Sequence, residues 1–260
     1  MIERIHRFLK NLFITYLNIS HKHLTSLPEN LPSNLQSLWC YDNQLTSLPE
    51  NLPQSLETIS CYNNQLTSLP DNLPKSLETI NCDNNQLTSL PENLPKNLKE
   101  IYCYCNQLTS LPEKLPPNLH LLKCGNNKIS TFPNNLPQHL QIFCCINNQL
   151  TILPDLPSSL FLICLYGNPL EINYPKIYTF EIYLHYSIFT YYYYKNPQEV
   201  IAYVNECNSQ RRTQTRARAI ARELAEVYCR QALHPSRLAY LLDNPEEDPN
   251  DFMDKLSSNI

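Results

Sequence analysis

An asparagine returns along this chain at a fixed interval: Asn43, Asn64, Asn85, Asn106, Asn127 and Asn148 stand 21 residues apart, and Asn168 follows after 20. The text around it returns too. One copy reads Leu56-x-x-Ile59-x-Cys61-x-x-Asn64-x-Leu66, then Leu69-Pro70-x-x-Leu73-Pro74. Stepping back another 21 residues finds a degenerate first copy in Ile14, Leu17, Ile19, Leu24 and Leu27-Pro28, so eight copies run from Ile14 to Leu170. A unit this short cannot bury its own apolar face, and only stacking against the next copy does so. The repeat therefore dictates a solenoid.

Counting from the leading leucine, positions one, four and six point inward, with the period of two that marks a strand and the turn after it. Stacked copies then build a parallel sheet with strands about 4.8 Å apart. The asparagine at position nine is expected to turn inward and bond backbone groups of its own coil and the next. The return path, Leu-Pro-x-x-Leu-Pro, resists helix, because proline fixes φ and disfavours the helical region at the preceding residue. It predicts an extended, polyproline-like outer wall. Six of the 11 cysteines (Cys40, Cys61, Cys82, Cys103, Cys124, Cys145) take the inward position six, where a small apolar side chain fits and burial keeps the thiol inert.

The 20–21-residue phrase ending in Leu-Pro-x-x-Leu-Pro resembles the short bacterial-type leucine-rich repeats, as found in bacterial effectors and in repeat proteins of large DNA viruses. The likeness covers residues 14–170. It implies a leucine-rich-repeat solenoid with a concave sheet, used as a curved binding module and in some members joined to a ubiquitin ligase. Those ligases resemble one another in a nucleophilic cysteine within Cys-x-Asp. Here the one such triplet, Cys40-Tyr41-Asp42, is already explained by the repeat. Cys207 and Cys229 lack the aspartate, and the 90 residues after the repeats are too few for that catalytic domain.

Positions two, three, five and seven face outward on the concave side. Position five reads Trp39, Ser60, Asn81, Tyr102, Lys123, Cys144, Cys164, and position seven reads Tyr41, Tyr62, Asp83, Tyr104, Gly125, Ile146, Tyr166. Tyr and Trp bury large areas at small entropic cost and are preferred interface anchors. The candidate binding residues are accordingly Trp39, Tyr41, Tyr62, Asp83, Tyr102, Tyr104 and Lys123. Positions two and three turn apolar late in the array, at Leu121, Ile142, Phe161 and Leu162, where the C-terminal segment is expected to fold over the last coils. Cys144 and Cys164 share an outward position on adjacent strands, which allows a disulfide or half of a metal site.

The flanks differ in composition. Residues 1–13 place Ile2, Ile5, Phe8, Leu9 and Leu12 at helical spacing and predict an amphipathic N-terminal cap helix. Residues 171–260 hold an aromatic stretch from Tyr174 to Tyr194 and then helical text: Pro197–Asn208, Gln214–Leu233, Pro235–Asp243 and Pro249–Ser257. Charged residues interrupt Met1–Leu17, so an export signal is not expected, nor is a membrane span within Ile177–Tyr194. The cysteines are then expected to stay reduced in a cytoplasmic setting.

With only 2 Gly, the chain offers no phosphate-cradling loop, and the net charge of -4 gives no general attraction to nucleic acid. The cluster Arg211, Arg212, Arg216, Arg218 and Arg222 reads as a solvated helix face balanced by Glu223 and Glu226. The expected function is non-catalytic protein–protein interaction without a cofactor, metal or small-molecule substrate, for instance by a viral protein in host cytoplasm. A ubiquitination adaptor and a structural particle protein are the alternatives.

Overall fold

The computed structural model describes residues 14–175, 181–186, 189–194 and 197–232, with side chains described for 14–175 and 197–220. Eight three-residue strands open the successive coils: β1 (Tyr16–Asn18), β2 (Ser37–Trp39), β3 (Thr58–Ser60), β4 (Thr79–Asn81), β5 (Glu100–Tyr102), β6 (Leu121–Lys123), β7 (Ile142–Cys144) and β8 (Leu162–Cys164). They form one parallel sheet in chain order, each residue paired with its equivalent in the next repeat. Sequence period and sheet register are thus the same quantity.

The core is a stack of identical layers. Position one (Leu35, Leu56, Leu77, Leu98), position four (Leu38, Ile59, Ile80, Ile101) and the six inward cysteines are closed to solvent, with Leu45, Leu66, Leu87 and Leu108 filling the far side. Each large apolar side chain buried this way contributes roughly 1.5–3 kcal/mol. The Leu-Pro wall is extended, as its prolines require. The carbonyl of its second proline accepts the N–H of the next leading leucine (Leu56 from Pro53, Leu77 from Pro74, Leu98 from Pro95), which turns the chain back into the sheet.

The asparagine ladder is the main polar element of this interior. Asn85 Nδ2 donates to the carbonyls of Cys82, Asp83 and Cys61, and its Oδ1 accepts the Leu66 N–H at 3.0 Å. Asn64, Asn106 and Asn148 repeat this set. The bridge therefore runs to the preceding coil and not, as the sequence reading had it, to the next. Position nine stands within reach of positions six and eleven of the preceding coil, so its amide takes the carbonyl of the one and the N–H of the other.

A second recurring position escaped the sequence reading. Position eight is left-handed in every coil, with φ of 50–55° at His21, Asp42, Asn63, Asn84, Cys105, Asn126 and Asn147, and 71° at Gly167. Asn and Asp tolerate this region better than other residues with a Cβ. The signal was present in the doublets Asn63-Asn64, Asn84-Asn85, Asn126-Asn127 and Asn147-Asn148. Only position nine was assigned a role from them.

Beyond the sheet, a 3-10 turn at Leu170–Ile172 leads to buried Tyr174. Strands β9 (Glu181–Tyr186) and β10 (Phe189–Tyr194) form an antiparallel pair, and the β10 backbone runs beside β8. Helix α1 (Pro197–Ala232) is continuous, where sequence spacing suggested two helices, Pro197–Asn208 and Gln214–Leu233. The intervening Ser209–Thr213 contains neither Gly nor Pro, so nothing stops propagation once the helix has nucleated. Thr213 Oγ1 instead donates back to the Ser209 carbonyl within the helix. The proposed helices at 1–13, Pro235–Asp243 and Pro249–Ser257 lie outside the described residues.

The first turns of α1 close the solenoid. Val200, Ile201 and Val204 join the core. Asn205 accepts the Leu156 N–H at 2.8 Å and donates to the Leu156 carbonyl at 3.0 Å, so both backbone groups of the last return segment's leucine are satisfied by one side chain. Buried Asn208 donates to the Leu153 carbonyl and to Asp155, and meets the Tyr174 hydroxyl at 2.7 Å. A separate compact unit begins at Ser209, where residues 212–220 are exposed along the helix. Arg212, Arg216 and Arg218 are among them.

Candidate functional site

The concave face is built from positions three, five and seven, whose side chains stand on alternate sides of inward positions four and six. The register lays each row across the coils like rungs, so its chemistry changes along the array.

The first three coils carry an aromatic group. Trp39 and Tyr16 meet edge to face at 5.3 Å between centroids, and Trp39 lies 6.3 Å from Tyr41. Tyr41 stacks on Tyr62 at 4.4 Å with planes 7° apart, close to the strand spacing itself. His21 closes the group against Tyr41 at 5.2 Å, edge on. Tyr16 and Trp39 remain 48% and 37% exposed, so the group presents a broad apolar surface to solvent. Tyr16 and His21 were not among the sequence candidates. They stand at positions three and eight of the degenerate coil, outside the rows at positions five and seven.

The middle coils are polar and mutually bonded. Asp83 Oδ1 accepts the Tyr104 N–H across the strands, and the Asp83 N–H donates to Asn81 Oδ1 at 3.0 Å. Tyr102 donates its hydroxyl to Glu100 at 3.1 Å, while the Lys123 ammonium sits 5.4 Å from the centre of the Tyr102 ring. The Tyr104 hydroxyl accepts from Asn126 Nδ2 at 2.7 Å. Burial, then the adjoining Glu100 carboxylate, pushes the Tyr102 phenol up to about 12. All seven residues named from sequence lie on this face. Trp39, Tyr41 and Tyr62 form one group, whereas Asp83, Tyr102, Tyr104 and Lys123 form another.

Burial lifts the Asp83 carboxyl to about 6, against the opposing pull of the Tyr104 N–H and Lys123. A folded pKa above the unfolded value means that the folded chain holds the extra proton. Its stabilising contribution is therefore complete below pH about 4 and is lost as pH rises through about 6. Asp83→Asn, which keeps the acceptor for Tyr104, is expected to flatten that stretch of the stability curve and to raise the urea midpoint at pH 7. Carboxyl NMR titration of the wild-type chain should show an aspartate midpoint near 6. A midpoint near 4 would mean that Asp83 is solvated.

The last coils are apolar, and the outward residues there differ in exposure. Leu121 is buried, Ile142 on β7 and Leu162 on β8 are half-buried, and Phe161 is 60% exposed. On the opposite wall a shallow groove between return segments is lined by Asp71, Lys75, Glu92 and Lys96, mixed charges with no aromatic anchor. Among the described residues no helix is long and apolar enough to cross a membrane. No group of three or more His, Cys, Asp or Glu gathers as metal ligands there either.

The family model for Leucine Rich repeats (2 copies) matches residues 33–75, and that for Leucine Rich Repeat matches 76–96. No curated protein matches the sequence. YopM, a leucine-rich effector protein from Yersinia pestis, is similar at 37% identity and a TM-score of 0.55, over 60% of this chain and 43% of YopM. The chain thus spans less than half of that protein. The leucine-rich-repeat domain of a Shigella effector is 33% identical with a TM-score of 0.55, over 65% of this chain and 75% of the domain. The functional domain of InlJ from Listeria monocytogenes, which includes a cysteine ladder, is 25% identical with a TM-score of 0.54, over 59% of this chain and 35% of that one. Repeat length, sheet register and these likenesses agree that the chain belongs to the leucine-rich-repeat family, in its bacterial type.

Proposed function

We propose that this chain is a non-catalytic module that binds a protein partner on its concave face, with the aromatic group of the first three coils as anchor. The observation that carries the reading is the contiguous ring surface of Tyr16, Trp39, Tyr41 and Tyr62, held by backbone ladders and open to solvent. Such rings are already ordered by their mutual contacts, so a partner meets little further entropic cost on covering them. The polar middle coils then act as a specificity rim, since Asp83, Glu100 and Lys123 reject partners that leave them unpaired. Similar proteins from Yersinia pestis and Shigella are effectors, and recognition of a target protein is the role we assign here. The neighbours add no support to a viral source, to ubiquitination or to particle assembly, so the proposal stops at partner binding.

The test is recovery of partners by the intact chain beside Trp39→Ala/Tyr62→Ala, followed by affinity measurement on whatever protein the intact chain retains. Truncating an interface anchor costs about 2 kcal/mol, so each substitution is expected to weaken binding roughly 30-fold. Both residues lie outside the core, and the urea midpoint should barely move. Full affinity in the double variant would place the site elsewhere.

A further inference from the structure

Strands β7 and β8 pair with Cys144 opposite Cys164, and their Sγ atoms lie 3.0 Å apart on the concave face. Neighbouring strands, about 4.8 Å apart, fall within the Cα separation that a disulfide spans, about 4.4–6.8 Å. The inward cysteines are arranged otherwise. Cys61, Cys82 and Cys103 donate their S–H groups sideways to the carbonyls of Asn81, Tyr102 and Lys123 at 3.4, 3.1 and 3.5 Å. Burial drives those thiols well above their ordinary pKa. Cys144 differs in being half-buried on an open face, while Cys164 behind it is buried.

We propose that Cys144 and Cys164 form a thiol–disulfide exchange site, with Cys144 attacking a low-molecular-weight disulfide and Cys164 resolving the adduct. Electrostatics supports these roles. The S–H of Cys164 favours the Cys144 thiolate and lowers its pKa, burial opposes this, and the Lys123 ammonium one strand away adds a smaller pull in the same direction as Cys164. The same contact with Cys144, together with burial, raises that of Cys164. With oxidised glutathione, the Cys144 thiolate attacks one sulfur, the S–S bond breaks, and a glutathione thiolate leaves with the electron pair. Cys164 then loses its proton to that thiolate or to water, attacks Cys144 Sγ, and expels the second glutathione. Two electrons and two protons have passed from the chain to the reagent, leaving one protein disulfide and two reduced glutathiones.

The site lies four coils from the aromatic anchor, so its test does not depend on the binding proposal. The reduced full-length chain is held natively in a glutathione redox mixture at neutral pH and quenched with acid. It is then unfolded, alkylated and mapped by mass spectrometry. The expected result is one disulfide, Cys144 to Cys164, with the six inward cysteines all alkylated. Cys164→Ser should trap a lasting glutathione adduct on Cys144, and Lys123→Gln should slow bridging several-fold without altering circular dichroism. Three results would each overturn the proposal: both thiols alkylated where a peptide dithiol oxidises, an unresolved adduct on wild-type Cys144, or a scatter of other pairs. The wild-type map decides the matter even if a variant fails to fold.

Discussion

Phe143→Ala is expected to lower stability by about 3–5 kcal/mol, the range for emptying an aromatic site in a packed core. Phe143 holds position four of β7, is fully closed to solvent, and meets Phe132 edge to face at 5.1 Å. Phe132 itself stands where other coils have leucine (Leu48, Leu69, Leu90, Leu111, Leu153), so two adjoining layers have enlarged together. Truncation leaves a cavity that the ladders on both sides keep from collapsing. Phe143→Leu should be milder, since Leu38 and Leu122 fill the same slot in other coils. Its cost and that of Phe132→Leu should not add, because the two rings share one contact. Urea unfolding gives the magnitudes. Hydrogen exchange should show the loosening confined to the coils around β7, because each coil of a solenoid touches only its neighbours. A uniform loss of protection along the array would contradict that account.

Asn85→Ala should come next in effect. The substitution strands the buried Leu66 N–H and takes a donor from the carbonyls of Cys61, Cys82 and Asp83. The N–H alone is expected to cost roughly 1–3 kcal/mol, and the altered turn adds to this. Asn85→Asp is the sharper test. It keeps the acceptor for Leu66 but turns a carboxylate toward three carbonyl oxygens, so it should be worse than alanine at neutral pH and recover on acidification. An unchanged urea midpoint in the alanine variant would mean that backbone bonds alone hold the coils in register.

Much of this was legible in the residues. The interval of 21 identified the coil, the alternation around Ile59 and Cys61 identified the strand, and the paired Leu-Pro steps ruled out a helical return. Two readings failed for local reasons. The asparagine bridge was assigned to the wrong neighbour because spacing along a chain carries no sense of which way a turn folds back. The helix was divided at Ser209–Thr213, a run of five polar residues, yet helix continuity depends on the backbone and needs no apolar residue at every turn. Tyr16 and His21 were missed because their coil matches the repeat poorly and they stand at positions three and eight.

What the sequence determined by itself is everything periodic: coil length, inward positions, the asparagine and cysteine rows, and which residues share the concave face. Stacking identical units buries the inward positions of every coil in the same way, so the pattern along the chain becomes the geometry. What only the tertiary structure decided is everything that depends on neighbours across strands or on the ends of the array. Tyr41 lies flat on Tyr62, Asp83 reaches the Tyr104 backbone, Cys144 meets Cys164, and Asn205 and Asn208 bond the backbone of the last return segment. Rotamer choice sets the first three, and a non-repeating helix sets the last. Neither leaves a period in the sequence.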